Sequence, residues 1–259
     1  MLEMQTSYVT ERGGRDRNED ACGYWTSEGC ACWVVSDGAG GHGSGDIASR
    51  LVVSTILRSF AARPSVSPDM AANLLRQAHD TLIKEKSGSL TTDDMHATAV
   101  LLLIDPRGPW AVWGHAGDTR LYLFRRGQLL CQTRDHSLIQ DMIDAGYGNA
   151  AMIRSHPQRS LLTSALGSAD DLVLSVSSEP LSLKDGDVFL ICTDGWWESV
   201  DEENMQDLLK KQPGGDAWLE GMRQLIVTRA SDSTDNYTAV CVRINGSVAD
   251  DETTVIIPA

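Results

Sequence analysis

A chain of 259 residues, 42% hydrophobic and 22% charged, has the size and balance of one substantial globular domain or two small ones. Its 36 acidic residues against 22 basic ones give a formal charge of -14, which argues against a nucleic-acid backbone as partner. No stretch approaches the ~20 apolar residues that span a bilayer, and residues 1–5 lack the basic start and apolar core of a secretion signal. The six cysteines (Cys22, Cys30, Cys32, Cys131, Cys192, Cys241) form no CxxC and have no histidine at zinc spacing. Several lie in strand-like apolar runs, the pattern of packed, reduced thiols in a cytoplasmic protein.

In chain order, residues 5–9 and 20–27 read as short strands around a charged turn at 11–20. A strand then runs through Cys32-Trp33-Val34-Val35 into Ser36-Asp37-Gly38-Ala39-Gly40-Gly41-His42-Gly43, followed by a helix over about 45–60. Ser67 with Pro68 behind it marks the start of a second helix, to about Lys86. Strands are expected at 97–104, 110–115 and 121–125, with a turn at Arg126-Gly127 and an amphipathic helix at 137–145. Periodicity is lost from 146 to 159, as in a mobile surface loop or flap. Strands at 172–176 and 188–192, helices at about 202–211 and 216–230, and an alternating strand at 237–244 complete the pattern. Helices in pairs between groups of strands favour an α+β sandwich over a doubly wound fold. One domain over 1–245 and an acidic tail over 246–259 are expected.

The apolar run ending in Ser36-Asp37-Gly38 is repeated in form at Thr193-Asp194-Gly195, and a third strand leads to Gly117-Asp118. Asp20 and Asp235 instead precede strands. An antiparallel sheet puts the starts of some strands beside the ends of their neighbours, so all five aspartates can share one edge. Any single Asp-Gly reads more readily as a turn, as at Asp185-Gly186. Five acids at one edge, however, would repel one another unless cations neutralised them, and hard oxygen ligands select Mg²⁺ or Mn²⁺. A pair of such ions suits phosphoryl transfer to water. Arg15 could hold the phosphate through a bidentate fork, or simply pair with Asp16 or Glu19.

Six motifs in order resemble the protein phosphatase 2C family, with the strongest likeness to bacterial metal-dependent Ser/Thr phosphatases. They are Arg15-x-x-Asn18-Glu19-Asp20, Ser36-Asp37-Gly38-x-Gly40-Gly41-His42, Gly117-Asp118-Thr119-Arg120, Asp135-His136-Ser137-Leu138, Thr193-Asp194-Gly195 and Asp235-Asn236. The resemblance covers about residues 5–244. It implies a four-layer α-β-β-α sandwich, two antiparallel sheets flanked by helix pairs, with a metal cleft at one end. It also implies hydrolysis of phosphoserine and phosphothreonine by direct attack of a bridging hydroxide, opposing a bacterial Ser/Thr kinase. Asp37 would bridge two Mn²⁺ or Mg²⁺ ions, with Asp194 and Asp235 completing the first. The Gly38 carbonyl would reach the second, with Glu19 and Asp20 acting directly or through water. Asp118, with Asp194, would bind a weaker third ion, which Ser160 would assist, and Arg15 would hold the substrate phosphate.

The chain departs from the family pattern at two places. Ala39 stands where relatives carry Met or His, which leaves His42 as candidate general acid or as a packing residue. His96 stands at a usual Gly position. A pseudophosphatase binding module and a phosphatase of small phosphoesters are the competing readings. In the tail, acids before Thr253-Thr254 resemble phosphothreonine sites read by forkhead-associated domains, the alternative being a final edge strand.

Overall fold

The computed structural model describes residues 2–40, 44–87, 95–169 and 171–246. The strands are β1 (Glu3–Glu11), β2 (Asp20–Thr26), β3 (Ala31–Ala39), β4 (His96–Ala97), β5 (Ala99–Asp105), β6 (Trp110–Ala116), β7 (Arg120–Arg125), β8 (Gln128–Gln132), β9 (Ser175–Val176), β10 (Leu181–Ser182), β11 (Val188–Cys192) and β12 (Tyr237–Asn245). The helices are α1 (Gly45–Ala62), α2 (Pro68–Ser87), α3 (Leu138–Asp144), α4 (Met152–Ser155), α5 (Asp194–Trp197), α6 (Glu202–Lys211) and α7 (Gly215–Arg229).

Two antiparallel sheets form, in the orders β1-β12-β11-β7-β8 and β10-β6-β5-β3-β2, with β4 beside β3 and β9 beside β6. Strand alternation decides what each face meets. Ala31, Trp33 and Val35 point between the sheets, where they join Val100, Leu102, Leu121, Leu123, Phe189, Ile191, Val240 and Val242. Cys32 and Val34, on the other face of β3, pack under α1 and α2 with Val52, Ile56, Phe60, Leu74 and Leu75. On the second sheet Tyr122, Phe124, Leu190, Cys192 and Cys241 meet Met205, Leu209, Trp218 and Met222 of α6 and α7. The expected four layers are therefore present, with one helix pair on each outer face.

Local signals explain several boundaries. The Ser67 hydroxyl accepts the Met70 N–H at 3.1 Å ahead of Pro68, so α2 begins where the cap and the proline direct it. Asp201 caps α6 by accepting the Asn204 N–H at 2.8 Å, and Ser137 caps α3 through the Gln140 N–H. Other expectations need correction. β3 does not stop at Asp37 but continues to Ala39, because β4 pairs Gly38 with Ala97 and Ala39 with His96. The strand expected at 97–104 is divided at Thr98, and that at 172–176 shrinks to two residues. β8, β10, α4 and α5 are additions. All six cysteines are free thiols, and no helix among the described residues is long and apolar enough to cross a membrane.

Candidate active site

One end of the sandwich holds a cavity of about 290 Å³ lined by Arg15, Glu19, Asp37, Gly38, Asp118, Ser160, Asp194 and Asp235, with His96, Thr98 and Asn236. Larger depressions of about 630 and 540 Å³ lie elsewhere, each with a single acidic side chain on its wall. Charge, not size, singles out the smaller cavity. It has five carboxylates and one arginine.

The chain delivers these acids from separate elements. Asp37 lies within β3, opposite Asp20 of β2 in the antiparallel register. Gly38 follows it where α1 backs onto the strand: a Cβ there would meet the Gly45 carbonyl oxygen at 1.9 Å, so only glycine fits. Asp118 leaves β6 through Gly117, whose φ of 94° lies in the left-handed region. Asp194 opens α5 directly after β11, and Asp235 stands ahead of β12.

A polar frame that the motif spacing did not assign holds them in place. Thr98 Oγ1 accepts the Asp37 N–H at 3.2 Å and lies 2.6 Å from Thr119 Oγ1, while the Thr98 N–H donates to the Asp37 carbonyl at 2.8 Å. Ser36 Oγ donates to the Thr98 carbonyl at 2.6 Å. Asn236 Oδ1 accepts the Glu19 N–H at 2.8 Å, and its amide donates to the Arg12 and Arg17 carbonyls, each at 2.8 Å. One side chain thereby fixes the charged turn that carries Arg15 and Glu19. The Trp197 indole N–H donates to the Asp118 carbonyl at 2.9 Å. Arg120 forms a buried bidentate pair with Asp135 at 2.8 and 2.7 Å, with its guanidinium 3.5 Å from the centre of the Trp197 ring. His136 accepts the Gly117 N–H at 3.2 Å and stacks on His115, which explains the Asp-His-Ser motif as a brace for the Asp118 turn.

Of the expected ligands, Glu19, Asp37, Gly38, Asp118, Asp194 and Asp235 line the one cavity, and so does Ser160. Asp20 does not: it faces the groove between β1 and β2, and its Oδ2 accepts the Thr193 hydroxyl at 2.9 Å. Its Oδ1 is buried without a partner. Arg15 pairs with neither Asp16 nor Glu19 but with Asp235, at 2.7 Å. His42 lies outside the described residues. As the side chains stand, no three His, Cys, Asp or Glu groups among the described residues are gathered closely enough to hold an ion.

The electrostatics nonetheless fit a cation. Burial holds the Asp37 carboxyl well above the usual range, and Asp20, Asp194, Asp118 and Asp235 push it further. Asp194 is raised likewise, by burial and then by Asp118 and Asp235. Burial raises Asp118 to about 7, with Asp135 adding to it. Glu19 is raised by burial and by Asp46. No arginine or lysine among the described residues pairs with Asp37, Asp118 or Asp194. An all-oxygen set of this kind relieves its own repulsion by binding a hard divalent ion.

A family model described as protein phosphatase 2C matches residues 11–215. The chain belongs to the protein phosphatase 2C family. It is 26% identical to the serine/threonine phosphatase stp of Listeria welshimeri, over 93% of this chain and 96% of that protein. PppA of Pseudomonas aeruginosa, a key regulatory component of the T6SS, is 31% identical over 93% of this chain and 97% of its own, with a TM-score of 0.73. The catalytic domain of the serine/threonine phosphatase PstP, solved with two manganese ions, shares the fold at 24% identity and a TM-score of 0.79, covering 95% of this chain and all of that one. This phosphatase is a metal-dependent hydrolase of phosphorylated serine and threonine in proteins.

Proposed function

We propose that Asp37 bridges two divalent ions, Mn²⁺ or Mg²⁺, with Asp194 and Asp235 on the first and the Gly38 carbonyl on the second. The observation that carries this reading is the gathering of five carboxylates around one cavity, of which Asp37, Asp118 and Asp194 are raised by burial and pair with no arginine or lysine among the described residues. Glu19 acts from the rim of that cavity. Asp20 acts from the neighbouring strand beside Asp37, directly or through water, in keeping with its place in the strand register. Asp118, with Asp194 and assisted by Ser160, takes a weaker third ion. Ions bound there supply an activated water at neutral pH and Lewis-acid stabilisation of the phosphoryl oxygens.

The chain's own groups do the rest. Arg15, 55% exposed at the cavity mouth, orients the phosphate when it exchanges Asp235 for the substrate's oxygens. Thr98 holds the Asp37 main chain at both its N–H and its carbonyl, which fixes the point from which the carboxylate projects. His42 is the candidate proton donor to the leaving serine or threonine oxygen, since Ala39 has no such group. The test is Mn²⁺-dependent cleavage of phosphothreonine peptides and p-nitrophenyl phosphate by the wild type and by Asp37→Asn. Undiminished turnover in EDTA would overturn the reading.

We further propose a cytoplasmic location, in keeping with six free thiols, and a cognate Ser/Thr kinase as the opposing enzyme. A forkhead-associated partner reading phosphorylated Thr253 or Thr254 is the proposal for the tail, and residues 247–259 lie outside the described ones. Mass spectrometry after kinase treatment tests it: an unmodified tail removes the idea.

A further inference from the structure

The segment 146–160 is tied to the body of the protein by two arginines, and one of them reaches the support of Asp118. Arg154, on α4, donates from Nε to the Trp197 carbonyl at 2.9 Å and from a terminal nitrogen to Glu202 Oε1 at 2.9 Å. Its guanidinium lies 5.8 Å from the Trp197 ring centre, and that of Arg120 lies 3.5 Å from it. Glu202 also accepts the Tyr122 hydroxyl at 3.3 Å and stands 3.8 Å from Arg120. The charges alternate along the chain of contacts: Arg154, Glu202, Arg120, Asp135. Within this frame sits Trp197, 2% exposed, whose indole N–H is spent on the Asp118 carbonyl. A buried donor and acceptor of this kind hold each other firmly, because neither has water as an alternative partner.

We propose that Arg154 is a positioning residue: by docking α4 onto Trp197 and Glu202 it sets the place of Asp118, and with it the affinity of the cation site that Asp118 serves. The inference rests on the metal role given to Asp118 above. Nothing in it requires Arg154 to touch the substrate or an ion. It makes the seating of the 146–160 segment and the occupancy of the outer cation site a single linked property. The second tie, Arg159 to Glu198 at 2.5 Å, does not run through Trp197's indole. Loss of Arg154 therefore loosens the support of Asp118 while leaving one tether in place. Partners that orient a metal ligand without touching the metal commonly govern affinity by about 10- to 100-fold.

The experiment is calorimetric titration of Mn²⁺ into the metal-free full chain, for the wild type, Arg154→Gln, Arg154→Lys, Trp197→Phe and Asp118→Asn. Limited chymotrypsin cleavage at Tyr147, which is 78% exposed, reports the seating of the segment separately. The expected result is a weakest binding step weakened about 10-fold in Arg154→Gln, with the tighter steps unchanged and faster cleavage at Tyr147. Trp197→Phe, which keeps a ring but loses the N–H, weakens the same step. Arg154→Lys falls between, and Arg154→Gln added to Asp118→Asn gives no further loss. Should Trp197→Phe fail to fold, the two variants of Arg154, whose side chain is 27% exposed, decide alone. The proposal is overturned if Arg154→Gln binds Mn²⁺ like the wild type while Asp118→Asn loses a step. It is equally overturned if Arg154→Gln still weakens binding in the Asp118→Asn background. An unchanged isotherm in Asp118→Asn itself would instead remove the metal role of Asp118.

Discussion

Asp20 and Asp37 face each other directly across the β2–β3 pair. Like charges placed directly opposite on neighbouring strands destabilise a sheet, and both residues have carboxyls raised by burial, Asp20 to about 7. Without metal, this end of the sandwich therefore stores repulsion. Asp118, at about 7, contributes to the same store.

The sign of the pH dependence follows. A carboxyl raised in the folded state binds more protons than in the unfolded chain, so stability falls as pH rises through the interval between the two values. For Asp20 and Asp118 that interval runs from 3.8 to about 7. The metal-free protein should thus melt several degrees higher at pH 5 than at pH 8. Added Mn²⁺ should raise the midpoint most at pH 8. Thermal scans in EDTA and in Mn²⁺ at both pH values check this, and a midpoint rising with pH in EDTA would contradict it.

Asp37→Asn removes the central charge of the group while keeping its shape. The expected outcome is a metal-free protein more stable than the wild type at pH 8, which gains little from Mn²⁺ and has lost its phosphatase activity. Paired melting curves and a p-nitrophenyl phosphate assay measure the trade.

The Arg120–Asp135 pair is 2% and 3% exposed. Breaking such a pair from one side leaves a buried charge without its partner, at a cost of about 3–5 kcal/mol. Asp135→Ala should therefore lower stability by that order in urea unfolding, and the loss should persist with Mn²⁺ present.

Gly38→Ala places a methyl group against the Gly45 carbonyl, 1.9 Å away. Either β3 or the start of α1 must shift. A fall in stability together with weaker Mn²⁺ binding is expected, whereas Gly186→Ala, where a Cβ meets nothing within 4 Å and the only penalty is its φ of 79°, should affect stability alone. Comparing the two separates backbone strain from damage to the site.

Arg15 and Asp235 are 55% and 43% exposed, so their ion pair contributes about 0–1 kcal/mol to stability. Arg15→Gln should melt like the wild type yet show a raised KM for phosphopeptides. An unchanged KM would mean that Arg15 only covers Asp235.

The acids of this site were legible because each follows or precedes an apolar run, a local pattern that the chain itself displays. Asp37, Asp118, Asp194 and Asp235 all reached the one cavity for that reason. What tethers them was not legible, because it depends on pairs far apart in sequence. Trp197 and Asp118 are separated by 79 residues, and Asn236 and Glu19 by 217. Periodicity carries no trace of such partners. Asp20 shows the limit from the other side: its place at the start of a strand was read correctly, but the facing of its side chain depends on Thr193. β8 escaped notice because it is an edge strand, alternately exposed and half-buried, and entered through left-handed Arg126 and Gly127. Edge strands of this kind carry too little apolar pattern to stand out.

The pairing of β1 with β12 joins Glu3 to Asn245 and Glu11 to Tyr237. During synthesis the first strand must therefore wait, with no neighbour in its sheet, until β12 has been made. Asp235 and Asn236 arrive with that same late strand, so the turn holding Arg15 and Glu19 is secured only then. A chain cut short ahead of Asp235 lacks that acid, Asn236 and the strand that pairs with β1, and is expected to be inactive toward phosphoproteins. Loop closure between Glu3 and Asn245 also makes folding slow relative to helical proteins. The cleft thus closes only on chains that have already made β12, which ties its assembly to everything ahead of that strand.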